Sequence, residues 1–250
     1  MFRLFRLKPP NGWGAVAWEL GIVTAGVLIA LGVQQWADER SWKAKASQSL
    51  GAIRDELAKH YSWSVEWRVV APCVRGQIDA LQRRVEGSGS RLEPSPAYPI
   101  AEYGQFVLRM PSKDYASGAW QAAIADGVAP RFDPGLRSEL IDHYMQAATV
   151  EAGGNRIDDA FTSLQTLKRP IPLDPMVRYS LLNRLDTLRG QVDFMDRQSG
   201  QLIDHIQKVA MVPNATTAKR DVERFGTFQF CRAQKLPVRS FAEAMTPVLN

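Results

Sequence analysis

Residues 13–33 read WGAVAWELGIVTAGVLIALGV, and Glu19 is their one charged side chain. A helix of these 21 residues is about 31 Å long, which matches the roughly 30 Å hydrocarbon core of a bilayer. The stretch therefore predicts a transmembrane helix. It divides the 250-residue chain into a short tail (residues 1–12), the spanning helix (13–33) and an extramembrane domain (34–250).

Glu19 opposes insertion, because a carboxylate deep in a bilayer costs about 2.5–3.5 kcal/mol if it is counted like Asp. Strongly apolar side chains offset this cost at about −0.3 to −0.6 kcal/mol each, or roughly −3 to −5 kcal/mol together. Insertion is thus favoured by a narrow margin. The apolar set is Val16, Leu20, Ile22, Val23, Val27, Leu28, Ile29, Leu31 and Val33.

Tryptophans flank both ends of the stretch. Trp13 and Trp18 lie at one end, and Trp36 and Trp42 lie beyond the other. Tryptophan favours the headgroup zone because its ring is apolar and its N–H is polar. These four side chains are predicted to anchor the helix at the two membrane surfaces.

A cleavable signal peptide is the competing interpretation, with residues 20–31 as its apolar region and Ala30-Leu31-Gly32 as a small-residue cleavage site. However, the apolar stretch begins before Leu20, and a helical pattern continues past Gly32 without a breaker until Pro72. The uncleaved anchor is the better interpretation.

The orientation follows from the basic tip. Arg3, Arg6 and Lys8 occur there without an acidic residue, and a short basic tail is translocated poorly whereas a long domain can cross. We expect the N-terminus in the cytoplasm. The net charge of +5 is spread without a basic stripe, so a nucleic-acid partner is not predicted.

The domain is predicted to be all-α. Leu50, Ile53, Leu57 and Tyr61 follow a three-four spacing, so the spanning helix should continue into a juxtamembrane helix that ends or kinks at Pro72. Further helices are predicted at residues 73–85, 101–110, 114–126 and 133–168, the last with a bend at Gly153-Gly154, and loops at 87–99 and 167–175.

The clearest periodicity lies at residues 181–209, where apolar positions alternate in steps of four and three. This coiled-coil-like seam predicts close packing against another helix. A bundle core within the chain is the favoured interpretation, and an oligomer seam is the alternative. The seam is Leu181, Leu185, Leu188, Val192, Met195, Ser199, Leu202, Ile206 and Val209.

Two features of the domain have open alternatives. Residues 225–231, FGTFQFC, are interpreted as a short strand or as aromatic packing under the bundle. Cys73 and Cys231 are either two buried thiols or one disulfide, and the disulfide requires an oxidising compartment.

The stretch AWELGIVTAGVLIALGVQQWADER resembles the opening of a family of bacterial single-pass membrane proteins of unknown function. The resemblance rests on Glu19, Ile29-Ala30-Leu31, Gln34-Gln35, Trp36 and Glu39-Arg40, and a second similar stretch covers residues 117–144. It departs at Trp18, where the family has a small residue. The resemblance implies an envelope protein with a helical domain, and it implies no activity. With the orientation inferred from the basic tip, we expect the inner membrane as the location and the periplasm for the domain.

Ala17, Gly21 and Ala25 are spaced four apart, a small-residue pattern that lets helices approach closely. Together with Glu19 they are the predicted contact with a protein partner or a second copy. For Glu19 the alternatives are a role in proton transfer, as in an acidic-helix subunit of an ion-driven complex, or a position near the interface where its carboxylate reaches water.

No catalytic motif occurs in the chain, so no enzyme, cofactor or metal is predicted, and the three histidines are expected at the surface. The predicted function is an envelope protein in the lipid bilayer whose helical domain binds or scaffolds other proteins. The alternative is a membrane-tethered sensor that binds a ligand within its bundle.

Overall fold

The computed structural model describes residues 12–99, 104–209, 211 and 213–248. The chain is all-α, as predicted, and the described residues form seven α-helices. They are α1 Gly12–Gly87, α2 Gly118–Ala125, α3 Pro134–Ser163, α4 Pro175–Lys208, α5 Ala215–Arg224, α6 Gly226–Ala233 and α7 Phe241–Met245.

Short strands and 3₁₀ turns join the helices. Strand β1 (Arg91–Leu92) pairs antiparallel with β4 (Ile171–Pro172), and β2 (Tyr98–Pro99) pairs antiparallel with β3 (Gln105–Phe106). The 3₁₀ turns are Ala129–Arg131 and Leu164–Lys168.

Helix α1 is continuous over 76 residues, about 114 Å. The prediction that the helix ends at Pro72 is therefore wrong, because Pro72 lies inside the helix, and the alternative of a kink there stays a prediction. A proline lacks an N–H and crowds the carbonyl one turn earlier, which weakens a helix. Here the neighbouring Val69 carbonyl accepts a hydrogen bond from the Arg239 N–H at 2.9 Å, so the C-terminal segment supplies a donor beside the proline.

The environment of α1 changes along its length. The large apolar side chains from Val16 to Val33 are all exposed, whereas nearly every residue from Tyr61 to Ala71 is buried. A helix that is buried on all sides forms the centre of a bundle. The same helix therefore has an exposed apolar segment, residues 16–33, and a segment enclosed by protein, residues 61–71.

Helix α4 packs against both α1 and α3. Its pairing with α1 is antiparallel, since Gln82 bonds Asp186 whereas Arg75, nearer the start of α1, bonds Asp193. The predicted seam faces this core: all of its members from Leu181 to Val209 are buried within the single chain. The prediction of a bundle core is thus confirmed.

Asp196 on α4 joins three parts of the chain through ion pairs. Its carboxylate accepts two hydrogen bonds from the Arg239 guanidinium, at 2.6 and 2.7 Å, and one from Arg75 Nη2 at 2.7 Å. Arg68 lies 3.8 Å away and donates to the carbonyls of Ala244 and Thr246. Arg239 and Arg75 hold the pKa of Asp196 below its usual value, although burial acts to raise it.

Several predicted boundaries are wrong. Residues 104–110 contain β3 and irregular chain instead of a helix, and residues 101–103 lie outside the described ranges. Helix α2 begins only at Gly118. Helix α3 is unbroken at Gly153-Gly154, and the missing side chain of Gly153 leaves room for Phe194 and Met195 of α4.

The interpretation of residues 225–231 as a strand is also wrong. Residues 226–231 belong to α6, and the Cys231 side chain of this helix is fully buried. Cys231 forms a disulfide with Cys73 of α1, with an S–S distance of 2.06 Å and a Cα–Cα distance of 6.0 Å. The bond fastens the C-terminal helices to the central helix.

Removal of this disulfide should lower the free energy of unfolding by roughly 3–5 kcal/mol, because the bond closes a loop of 158 residues and restricts the unfolded chain. We expect the Cys73→Ser/Cys231→Ser variant to show this loss in urea titrations followed by tryptophan fluorescence. Wild-type protein in reductant should match the variant, and reductant should leave the variant unchanged. Equal midpoints for oxidised wild type and variant would contradict the expectation.

Candidate functional site

The described residues contain a cavity of about 470 Å³ beside the buried part of α1. Its walls come from α1, the segment after β3, the end of α3 and the start of α6. This volume is within the range of small-molecule sites, roughly 300–1,000 Å³.

Glu66 of α1 supplies a buried carboxyl group to the cavity wall, with 1% of its surface exposed. Burial raises its pKa to about 7, and the neighbouring charges of Lys113 and Arg109 oppose that rise. Lys113 Nζ lies 3.2 Å from Glu66 Oε2 and 3.8 Å from the centre of the Phe225 ring. The Lys113 ammonium group therefore contacts both the Glu66 carboxyl group and the Phe225 ring.

Arg109 is held in place through its backbone. The Arg109 N–H donates to Gln77 Oε1 at 2.8 Å, and the Arg109 carbonyl accepts from Gln77 Nε2 at 2.9 Å. Gln77 is one turn beyond Cys73 on α1, and its Nε2 also lies 3.6 Å from Cys73 Sγ. The segment carrying Arg109 and the disulfide are thus fastened to adjacent turns of the same helix.

The Arg109 guanidinium lies against Gly226, the first residue of α6, where any side-chain carbon would clash with Nη2. Among the described residues, no carboxylate is within ion-pair distance of this guanidinium. Partial burial lowers its pKa, and the charge of Glu66 acts in the opposite direction. The cavity therefore contains a cation whose hydrogen-bond donors are not engaged by a neighbouring acid.

The opposite wall is aromatic. The rings of Phe106 and Phe161 stack with their centroids 5.1 Å apart and their planes 20° from parallel. Asp158 lies at the rim, where burial and the nearby Asp159 raise its pKa. Apolar walls with a few convergent polar groups are typical of a small-molecule binding site.

A second polar cluster is built around two histidines, and the prediction that the histidines lie at the surface is wrong for both. His60 of α1 and His143 of α3 are buried, with 1% and 0% of their surfaces exposed, and His60 Nδ1 lies 3.1 Å from His143 Nε2. Their rings stack on each other, and Tyr115 and Tyr144 pack around His60. His205 is half-buried.

The hydrogen bonds of this pair determine which nitrogens carry protons. His60 Nε2 must donate to the Ala116 carbonyl, at 3.0 Å, because a carbonyl only accepts. In the neutral ring His60 Nδ1 then accepts, and His143 Nε2 donates to it. His143 Nδ1 is left as a buried acceptor without a partner among the described residues.

Burial is the main cause that lowers the pKa of His60 to about 4 and that of His143 to about 3. Both rings are thus neutral at neutral pH. Within the described ranges, no group of three or more His, Cys, Asp or Glu side chains is arranged to hold a metal ion. The histidine pair is better described as part of the core than as a ligand set.

The side chains predicted to contact a partner in the membrane are all exposed. Glu19, Ala17, Gly21 and Ala25 lie on the unpartnered part of α1, and a Cβ placed at Gly21 would meet no atom within 4 Å. With 3.6 residues per turn, Glu19 is about 160° around the helix from Gly21. The small-residue face and the carboxylate therefore form two separate surfaces.

The predicted membrane anchors occupy different environments. Trp18 and Trp36 are 72% and 62% exposed, and the Trp13 side chain lies outside what the structure describes. Trp42 is half-buried against the domain, where Arg131 lies 4.1 Å from its ring centroid. Trp42 therefore also marks the point where the domain begins to contact α1.

Neither Glu66 nor Arg109 was predicted as a site residue from sequence patterns. The signal available was the run SWSVEWRVVA at residues 62–71, in which Glu66 and Arg68 interrupt an otherwise apolar helix. On an ordinary amphipathic helix such charged residues face solvent. They indicate a buried polar site only if the helix is enclosed on all sides, which the sequence pattern does not show.

Comparison of this chain with known protein families, curated proteins and solved structures found no match. The site is therefore interpreted from its own geometry.

The contribution of the two histidines to the free energy of unfolding should fall as the pH is lowered from 7 to 4, whereas Glu66, whose pKa is raised to about 7, contributes in the opposite direction. An unfolded histidine takes up a proton near pH 6.5, whereas His60 and His143 in the folded protein do so only near pH 4 and 3. Between these values the unfolded state binds more protons, so acid favours unfolding by up to about 1.4 kcal/mol per pH unit for each histidine.

Urea titrations of wild type and of a His60→Gln/His143→Gln variant measure this effect. The variant should have a flatter dependence of unfolding free energy on pH between 4.5 and 6.5, whatever its stability at pH 8. The difference between the two slopes isolates the histidines from the carboxyl groups that titrate nearby. Parallel slopes would show that the two rings do not resist protonation in the folded state.

Proposed function

We propose that this chain is a single-pass protein of the bacterial inner membrane, with its N-terminus in the cytoplasm and its helical domain in the periplasm. There the domain binds or scaffolds other proteins, and no enzymatic function is assigned to it. The proposal agrees with the resemblance of the opening segment to bacterial single-pass membrane proteins.

The observation that carries the proposal is the exposure of the first part of α1. Every large apolar side chain from Val16 to Val33 is at least 38% exposed, and none of this stretch is buried inside the chain. Such an apolar surface is unfavourable in water and is stable in hydrocarbon. The helix is long and apolar enough to cross a membrane.

The disulfide supports the periplasmic side. Disulfides persist in oxidising compartments such as the periplasm and are rare in the reducing cytoplasm. A domain fastened by Cys73–Cys231 is suited to the outer side of the inner membrane, and the basic tip at Arg3, Arg6 and Lys8 supports the same orientation.

A membrane-tethered sensor is the second candidate, and the cavity favours it. Glu66 lies on the same uninterrupted helix as the membrane segment, 33 residues or about 50 Å beyond Val33. A ligand in the cavity would contact the helix that enters the membrane.

The orientation is tested by fusing reporters after Asn250. A C-terminal alkaline phosphatase, which folds only outside the cytoplasm, should be active, and a green fluorescent protein fusion exported through the same pathway should be dark. The matched control lacks residues 1–33 and should reverse both readings. A bright fluorescent fusion with an inactive phosphatase in the full chain would place the domain in the cytoplasm and refute the proposed orientation.

The partner surface is tested by changing one glycine at a time. Gly21→Ile should lower association of the spanning helix in a bacterial membrane reporter by roughly tenfold, because a bulky side chain separates helices that pack on the small-residue face. Gly26→Ile is the matched control, since Gly26 lies about 140° around the helix from Gly21 and is equally open. Equal signals from both variants would remove the Ala17–Gly21–Ala25 face as the contact.

A further inference from the structure

We propose that the cavity lined by Glu66, Arg109 and the Phe106–Phe161 pair is a binding site for a small organic monocarboxylate with an apolar body. The proposal concerns the domain alone and is independent of its orientation in the membrane. It rests on three features of the cavity: its charge balance, its shape and its rigidity.

The charges of the cavity wall favour a ligand with a single negative charge. The Lys113 ammonium is already 3.2 Å from Glu66 Oε2, so at a pH above 7, where the Glu66 carboxyl group is ionised, this pair contributes little net charge. Arg109 is the remaining cation of the wall, and Asp158 is the other acid that lines the cavity. Among the described residues, neither Asp158 nor any other carboxylate lies within ion-pair distance of Arg109. A guanidinium presents its donors as a planar fork that matches the two oxygens of a carboxylate. A phosphate dianion would need a second uncommitted cation.

The size and the aromatic wall of the cavity favour a ligand whose remaining part is apolar. The stacked rings of Phe106 and Phe161 face a space of about 470 Å³, which is large enough for an aromatic ring or a short aliphatic chain. Burial of such a body gains free energy in proportion to the apolar area removed from water. A carboxylate without this body would have only the Arg109 contact.

The rigidity of the walls limits the entropy lost on binding. Gln77 holds the Arg109 backbone through both its N–H and its carbonyl, and the disulfide holds α6 against α1. Gly226 leaves the space that the guanidinium occupies. A pre-formed site of this kind does not need to order itself around the ligand.

The test uses the full chain in lipid nanodiscs, with empty nanodiscs as the blank. The probes are phenylacetate, indole-3-acetate and octanoate, and binding is measured by isothermal titration calorimetry and saturation-transfer NMR. We expect at least one probe to bind, and its uncharged amide to bind roughly tenfold more weakly or worse. This comparison needs no variant. Absence of binding by all three acids at millimolar concentration, or equal affinity of acid and amide, would overturn the proposal.

Three variants locate the site. Arg109→Gln should weaken binding roughly tenfold or more, because it removes the charged fork. Glu66→Gln should strengthen binding several-fold, because it frees Lys113 to attract the anion. Arg54→Gln, at an exposed position on α1, is the matched control and should leave affinity unchanged. An acid that binds Arg109→Gln and Glu66→Gln as it binds wild type occupies another place and refutes the assignment.

The reporter fusions described above remain a separate test. Loss of carboxylate binding with an active periplasmic phosphatase would refute only the binding site. A cytoplasmic domain that binds the probes would refute only the proposed orientation.

Discussion

The contact between α1 and α4 is the interaction on which the domain depends. The apolar seam of α4 is buried along its whole length, and at its centre Asp196 accepts hydrogen bonds from Arg75 of α1 and Arg239 of the C-terminal segment. Removing one partner of such a buried pair leaves an uncompensated charge, which is strongly destabilising. The same contact therefore sets the position of α4 on α1 and holds the C-terminal segment against both helices.

A single helix serves two environments in this protein. From Val16 to Val33 its side chains face outward without a protein partner, and from Tyr61 to Ala71 they are enclosed by the other elements. In the enclosed part the two sides of Pro72 are held by the C-terminal segment: Arg239 donates to the Val69 carbonyl, and Cys73 is covalently joined to α6. Helix continuity at this proline is a property of the whole domain, since a proline in an isolated helix would end or kink it.

The polar groups around α1 are the most informative part of the interior. His60 and His143 are stacked and neutral, whereas Glu66 shares its environment with two cations and lines a cavity. Burial acts on both sets in the same way, by disfavouring the charged form, so it lowers the pKa of each histidine and raises that of the carboxyl group. His60 also lines a cavity, of about 350 Å³, whereas the larger cavity of about 470 Å³ brings Glu66 together with Arg109, Lys113 and a stacked pair of phenylalanines.

The sequence by itself determined the apolar helix at residues 13–33, the all-α class and the buried seam of α4. Each of these follows from a local pattern, either a continuous apolar run or a three-four spacing, and the physical cause acts within the same stretch of chain. Only the tertiary structure decided that α1 continues through Pro72 and that residues 226–233 are helical. It also decided that Cys73 pairs with Cys231, and that the charges of Lys113 and Arg109 lie near the Glu66 carboxyl group. These features arise from contacts between residues far apart in the chain, and a local pattern does not specify which distant segments will enclose a helix.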